Sequence, residues 1–181
     1  MKVLKKIIFI VLLVSISIGL LFVGSGYDMY KKAIEETSIE DKIAEIKSKE
    51  NYTKISELPQ MYKNAVISVE DHRFYKHNGI DIIAIGRAAF NDIKAMSFVE
   101  GGSTITQQIA KNIYFTQEKK IERKIAEVFM AFKIEKNCDK DEILELYLNT
   151  SYFGDGYDTP KEACKGYFNK ELNEMTDYEC I

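Results

Sequence analysis

Apolar positions are concentrated at the start of this chain. From Ile7 to Val23 every residue is apolar or small, and no charge follows until Asp28. A run of that length predicts a helix able to cross a bilayer's hydrocarbon core. Lys2, Lys5 and Lys6 precede it, which places the N-terminus in the cytoplasm and the rest outside. A cleaved signal peptide is the rival reading. Its apolar run is usually shorter, and Gly24-Ser25-Gly26 is a poor cleavage pattern. The pattern therefore divides the chain into a cytoplasmic tail (1–6), a transmembrane anchor (7–26), a stalk or linker (27–57) and a domain (58–181).

Beyond the anchor the pattern changes. Tyr27 to Glu57 is charged, with only Ile39, Ile43 and Ile46 on one stripe, as expected of a helical or partly ordered stalk. After Pro59 helix-start signals recur: Asp81 before Ile82-Ile83, Thr104 with Gln107, Asp139 with Glu142, and Thr159 with Pro160 and Glu162. Strand-like alternation is scarce, so the domain is expected to be mainly α-helical. In the helix opening at Thr104, Ile105, Ile109 and Ile113 share one face, while Thr104, Gln107, Gln108 and Lys111 share the other. From Lys119 to Lys136, Ile121, Ile125, Val128 and Phe132 read as a core stripe. Lys120, Arg123, Lys124 and Glu127 form a second face that turns apolar at Ala131 and Ile134. Thr176 with Glu179 starts one more cap close to Ile181, from which a C-terminally incomplete domain is expected.

Composition narrows the partners. Three of the 25 basic residues precede the anchor but none of the 28 acidic ones, so the remainder is acidic. That argues against nucleic acid. Cys138, Cys164 and Cys180 are odd in number and lack metal-ligand spacing, and they read as small apolar residues.

Two segments carry the candidate chemistry. Gly101-Gly102 before the Thr104 helix lets backbone approach a ligand, and the helix N-terminus offers free N–H groups to a sugar or phosphate. Arg123 and Lys124 suit phosphate, with Glu127 inside their cluster or merely paired to Arg123 one turn away. Glu70 ends the apolar stretch Val66, Ile67, Val69. Partial desolvation there would make it a base near neutral pH. Asp71 caps or bonds the following turn. His72 and His77 lack a third ligand and give no metal site. Phe74 and Tyr75 read as packing residues.

These residues together resemble the peptidoglycan glycosyltransferase domain of family 51, found in class A penicillin-binding proteins and monofunctional transglycosylases. The resemblance runs from about Leu58 onward. It includes Glu70-Asp71 with Phe74, His77, Gly79 and Asp81, then Gly102 to Asn112, Arg123-Lys124 with Glu127, Tyr147-Leu148-Asn149 and Tyr152-Phe153-Gly154. It implies a lysozyme-like helical fold at the outer leaflet, acting on lipid II and a growing β-1,4-linked glycan strand. Glu70 would be the base for the acceptor hydroxyl, and Glu127 the second catalytic glutamate near the departing pyrophosphate. Asp71, Phe74, His77, Ser103, Thr104, Gln108, Lys111, Asn112, Lys119, Arg123 and Lys124 match positions that contact substrate. The reading needs Glu70 to face, across one groove, the cationic wall around Glu127. It requires no cofactor and leaves room for a divalent cation, magnesium or manganese. Membrane and cell-wall synthesis or division proteins are the implied partners. Lys119 stands where some relatives carry arginine, and Cys164 where alanine is common. An inactive, membrane-anchored lipid II- or glycan-binding fragment of a bifunctional protein is the alternative; a lysozyme-like hydrolase is a third reading.

Overall fold

The computed structural model describes residues 2–116, 118 and 120–181. It is mainly helical and, among the described residues, contains no strand beyond an isolated bridge between Asn78 and Ile80. The helices are α1 (Lys2–Glu36), α2 (Ile39–Lys47), α3 (Gln60–Glu70), α4 (Ile82–Ala95), α5 (Ile105–Tyr114), α6 (Ile121–Asn137), α7 (Lys140–Leu148) and α8 (Pro160–Phe168).

The expected start signals work through backbone capping. Asp81 accepts from the Ile83 and Ala84 N–H groups. Thr104 and Gln107 form a reciprocal capping box. Asp139 and Thr159 accept from Glu142 and Glu162 N–H. Each cap satisfies donors that a helix start leaves open.

α1 is one uninterrupted helix, long and apolar enough to cross a membrane. At 1.5 Å per residue its 35 residues reach roughly 50 Å, well beyond a hydrocarbon core of about 30 Å. The excess lies against α6. Gly26 fits against Ile125, and Tyr27 and Tyr30 meet Phe129 with ring centroids 5.2 and 5.9 Å apart. This corrects the separate stalk. Tyr30, Ala33 and Ile34 pack on the core, while Ile39 and Ile46 of α2 are buried in it. Thr53 is also buried, its N–H donating to Asn149 Oδ1 at 2.8 Å.

The core gathers around α5 and α7, through Ile105, Ile109, Ala110, Ile143, Leu144, Leu146 and Leu148, with Phe74 and Leu58 from the preceding loops. α6 joins it by the face that turns apolar at Ala131 and Ile134 rather than by the expected core stripe. Ala126, Met130 and Ile134 are buried, whereas Ile121 is 59% and Phe132 42% exposed. The buried stripe is turned by one residue, about 100°. The cause is double coverage: α1 takes the Ile125–Phe129 side, so α5 and α7 take the adjacent one.

Gly79 closes the loop before α4 at φ +84°. Its N–H donates to Glu135 Oε1 and its carbonyl accepts from Thr104 Oγ1 at 2.6 Å. An added Cβ would sit 3.2 Å from the Ala131 carbonyl carbon, so both the left-handed backbone and the close approach require glycine.

Candidate active site

A polar cavity of about 360 Å³ opens between the end of α3, α4 and the loop leading into α5. Glu70 lies on its rim as the last residue of α3. Its carboxylate is exposed, and Oε2 accepts from Gln108 Nε2 at 2.8 Å. The partial desolvation expected of Glu70 is therefore absent: Val69 beside it is itself exposed. Gln108 is steadied from behind, its Oε1 accepting from the Tyr147 hydroxyl at 3.3 Å. Burial, and then the Glu70 charge, raise the Tyr147 pKa, which keeps that phenol a donor. Glu70 and Tyr147 also edge a second cavity, of about 300 Å³.

Gly101, Gly102 and Ser103 form the cavity's opposite lip. Lys124 of α6 donates to Ser103 Oγ at 2.6 Å and to Glu127 Oε2 at 2.8 Å. Burial pushes the Lys124 ammonium down to about 8, helped by the neighbouring cations Arg123 and Lys111. Arg123 pairs with the other oxygen of Glu127.

Glu127 is the main correction. Its side chain is 1% exposed, it does not line the cavity, and both oxygens are held by cations. Glu127 therefore does not line the cavity that Glu70 edges. What α6 presents to the glycine lip is Lys124, with Glu127 fixing Lys124 and Arg123 from beneath.

Several other expected contact residues are also turned inward. Phe74 is fully buried in the core. The His77 side chain is buried and pairs through Nε2 with Asp71, at 3.0 and 2.9 Å from the two carboxylate oxygens. Asp71 reaches the cavity wall, but its Oδ2 also accepts the Ile105 N–H at 3.1 Å. It thereby ties the residue after Glu70 to the start of α5. Thr104 lies on the wall with its hydroxyl committed to Gly79 and the capping box. Asn112 points elsewhere, donating to Thr150 O beside Lys42 and Lys49. Ser103, Gln108 and Lys124 are brought to the cavity or its lip. Lys111 and Arg123 stand with Lys124, and Lys119 lies outside the described residues.

The cavity holds three charged or titratable groups that sequence reasoning did not assign to substrate: His72, Arg87 and Glu100. Arg87 was detectable as a lone cation inside the apolar run from Ile82 to Phe90. Its pairing with Glu100, across a loop, had no local signal. The residues around the α6 cations do not fit a divalent-ion site. Among the described residues no three His, Cys, Asp or Glu side chains gather, and each Glu127 oxygen already accepts from a cation.

An exposed helix-end carboxylate and a glycine lip held by a cationic helix side chain thus meet at this cavity. Residues 38–181 match the transglycosylase family, and the chain belongs to it. That match begins at the start of α2, twenty residues before the expected domain boundary at Leu58, consistent with α2 packing in the core. The chain is 50% identical over 122 residues to penicillin-binding protein 1F of Bacillus subtilis (strain 168), covering 67% of the chain and 17% of that protein. It is 46% identical over 125 residues to penicillin-binding protein 1A of Neisseria gonorrhoeae, covering 69% of the chain and 16% of that protein. The chain thus spans about a sixth of the length of the curated relatives it matches.

Proposed function

We propose that this chain is a membrane-anchored peptidoglycan glycosyltransferase, polymerising lipid II into β-1,4-linked glycan by displacing a lipid pyrophosphate. The observation that carries the reading is one cavity edged by the Glu70 carboxylate and by a glycine lip whose Ser103 accepts from the Lys124 ammonium. Glu70 accepts the proton from the acceptor sugar's 4-hydroxyl as that oxygen attacks the donor's anomeric carbon. The bond to the pyrophosphate breaks on the far side, and the configuration inverts. Lys124 and Arg123, with Lys111 nearby, stabilise the charge that develops on the leaving phosphate. Glu127 positions two of these cations and is not itself the proton donor. No step is assigned to a divalent ion.

The cavity's surroundings suit a lipid-linked substrate. α4 and the loop after it, which line the cavity through Ala84, Arg87 and Val99, also expose Ile82, Ile83, Phe90, Ile93, Met96 and Phe98. An apolar surface of this kind marks contact with lipid or protein. With α1 spanning, the N-terminus is cytoplasmic and the cavity faces the outer leaflet, where a lipid-anchored sugar is presented.

The test is polymerisation of purified lipid II by the full chain in detergent. Glu70→Gln should abolish polymer. It should also leave the melting temperature within about 1 °C, because an exposed side chain with one hydrogen bond contributes little. Full activity in Glu70→Gln removes the mechanism. Lipid II binding without polymer in the unsubstituted chain favours a binding module. Release of short sugars from finished peptidoglycan favours a hydrolase.

A further inference from the structure

We propose that Arg87, held in the cavity wall between Glu100 and His72, is a second anion-recognition point that takes the phosphate of the acceptor. This inference rests on the glycosyltransferase reading above.

Joining two lipid-linked sugar pyrophosphates puts two diphosphates near one base. One leaves, and the other stays on its sugar. The α6 cations are committed to a single position, since Arg123 is paired with Glu127 and Lys124 bridges Glu127 and Ser103. Arg87 comes from a different element. Gly102 packs on α4, with its Cβ position 3.2 Å from Ile85 Cα, while Ser103 next to it takes Lys124. The glycine lip therefore lies between Arg87's helix and the α6 cations.

The Arg87 guanidinium is built into this place. Its Nε donates to Glu100 Oε1 at 2.5 Å, and its Nη1 lies 3.4 Å from His72 Nε2. The other Glu100 oxygen accepts from Asn91. Asp92 holds the same loop by accepting the Val99 and Glu100 N–H groups at 2.8 and 3.1 Å. α4 and the loop are thus stapled together before any ligand arrives. Guanidinium carries five N–H donors, of which Glu100 and His72 engage two, so donors remain for a phosphate's oxygens. The side chain is 43% exposed at the cavity.

The two cationic groups differ in what they do. The α6 cations meet charge that develops during reaction. Arg87 meets charge that is the same before and after, so it contributes uniform binding, which lowers KM and leaves kcat alone. Glu100 competes with the ligand for Arg87 and weakens that binding.

Two measurements on the full chain in detergent micelles test this. In calorimetric titration with inorganic pyrophosphate, the unsubstituted chain should bind two equivalents and Arg87→Gln one. In lipid II polymerisation, Arg87→Gln should raise KM on the order of ten- to a hundredfold, the value of a charged hydrogen-bonded contact, and change kcat by less than about twofold. Arg87→Lys should recover part of the loss, and Glu100→Gln should tighten the weaker pyrophosphate site. The assignment is overturned if Arg87→Gln keeps both sites, or if its kcat falls at constant KM. It also fails if Glu100→Gln behaves like Arg87→Gln, for then the pair only staples the loop. A chain that binds two equivalents yet polymerises nothing sinks the glycosyltransferase reading and with it the acceptor role. A chain that polymerises but keeps both sites in Arg87→Gln sinks the Arg87 assignment alone.

Discussion

Replacing Glu127 with glutamine removes one negative charge from the inside of α6 and leaves the side chain's size unchanged. Removing one partner of a buried ion pair costs about 3–5 kcal/mol when the other charge stays buried. Here Lys124, 46% exposed, keeps only part of its hydration, while Arg123, at 14%, is left poorly solvated. The expected loss is therefore nearer 2 kcal/mol, or about 4–8 °C in melting temperature for a chain of this size. The kinetic signature is sharper. Lys124 is charged below about 8 and neutral above it, so polymerisation should decline as pH rises through that value. Glu127 favours the ammonium, and without it the decline should begin at lower pH. Stability should move the opposite way. Because Lys124 holds its proton less tightly in the folded chain, the unfolded chain binds more protons between about 8 and the ordinary lysine value of 10.5. This group therefore makes folding more favourable as pH rises through that window. Initial polymerisation rates across the neutral-to-alkaline range, with thermal unfolding in the same buffers, measure both. An unchanged melting temperature and an unmoved alkaline limb in Glu127→Gln would refute the cation-positioning role.

Two further substitutions probe the support of the site. Gly102→Ala puts a methyl 3.2 Å from Ile85 Cα and 3.5 Å from Ala88 Cβ, so the lip must shift by a few tenths of an ångström. kcat/KM should fall about tenfold with little change in melting temperature, and parental kinetics would contradict the lip's role. Phe74→Ala empties a fully buried position. It should cost about 3–5 kcal/mol in denaturant unfolding, and a variant as stable as its parent would argue that Phe74 does not belong to the core.

The capped helix starts were legible in the sequence because a cap is a local arrangement of side chain and backbone N–H, complete within one turn. Asp81, Thr104, Asp139 and Thr159 each act where their spacing indicated. The apolar stripe of α5 was legible, with Ile105 and Ile109 fully buried, but the fate of its polar face was not: Thr104 and Gln107 are buried as well, because both α6 and α7 pack on this helix. α6 was legible only in part: the face turning apolar at Ala131 and Ile134 is buried as its sequence indicated, but the expected core stripe at Ile121 and Phe132 is exposed. The motif residues in the first half of the site were found as a set, but not their orientations. Asp71, Phe74 and His77 were grouped with Glu70, yet only Glu70 presents its side chain to open solvent at the cavity.

The sequence by itself determined the apolar leading helix, the capped helical pattern and the residue types able to hold a phosphate or move a proton, since each depends on chemistry within a few neighbouring positions. The tertiary structure decided which of those groups meet. It buried Glu127 under two cations, made the segment after the anchor part of the core, and joined Arg87 to Glu100 and His72. Those outcomes depend on burial and on contacts between residues distant in the chain, and no local pattern specifies which side of a helix a second helix will cover.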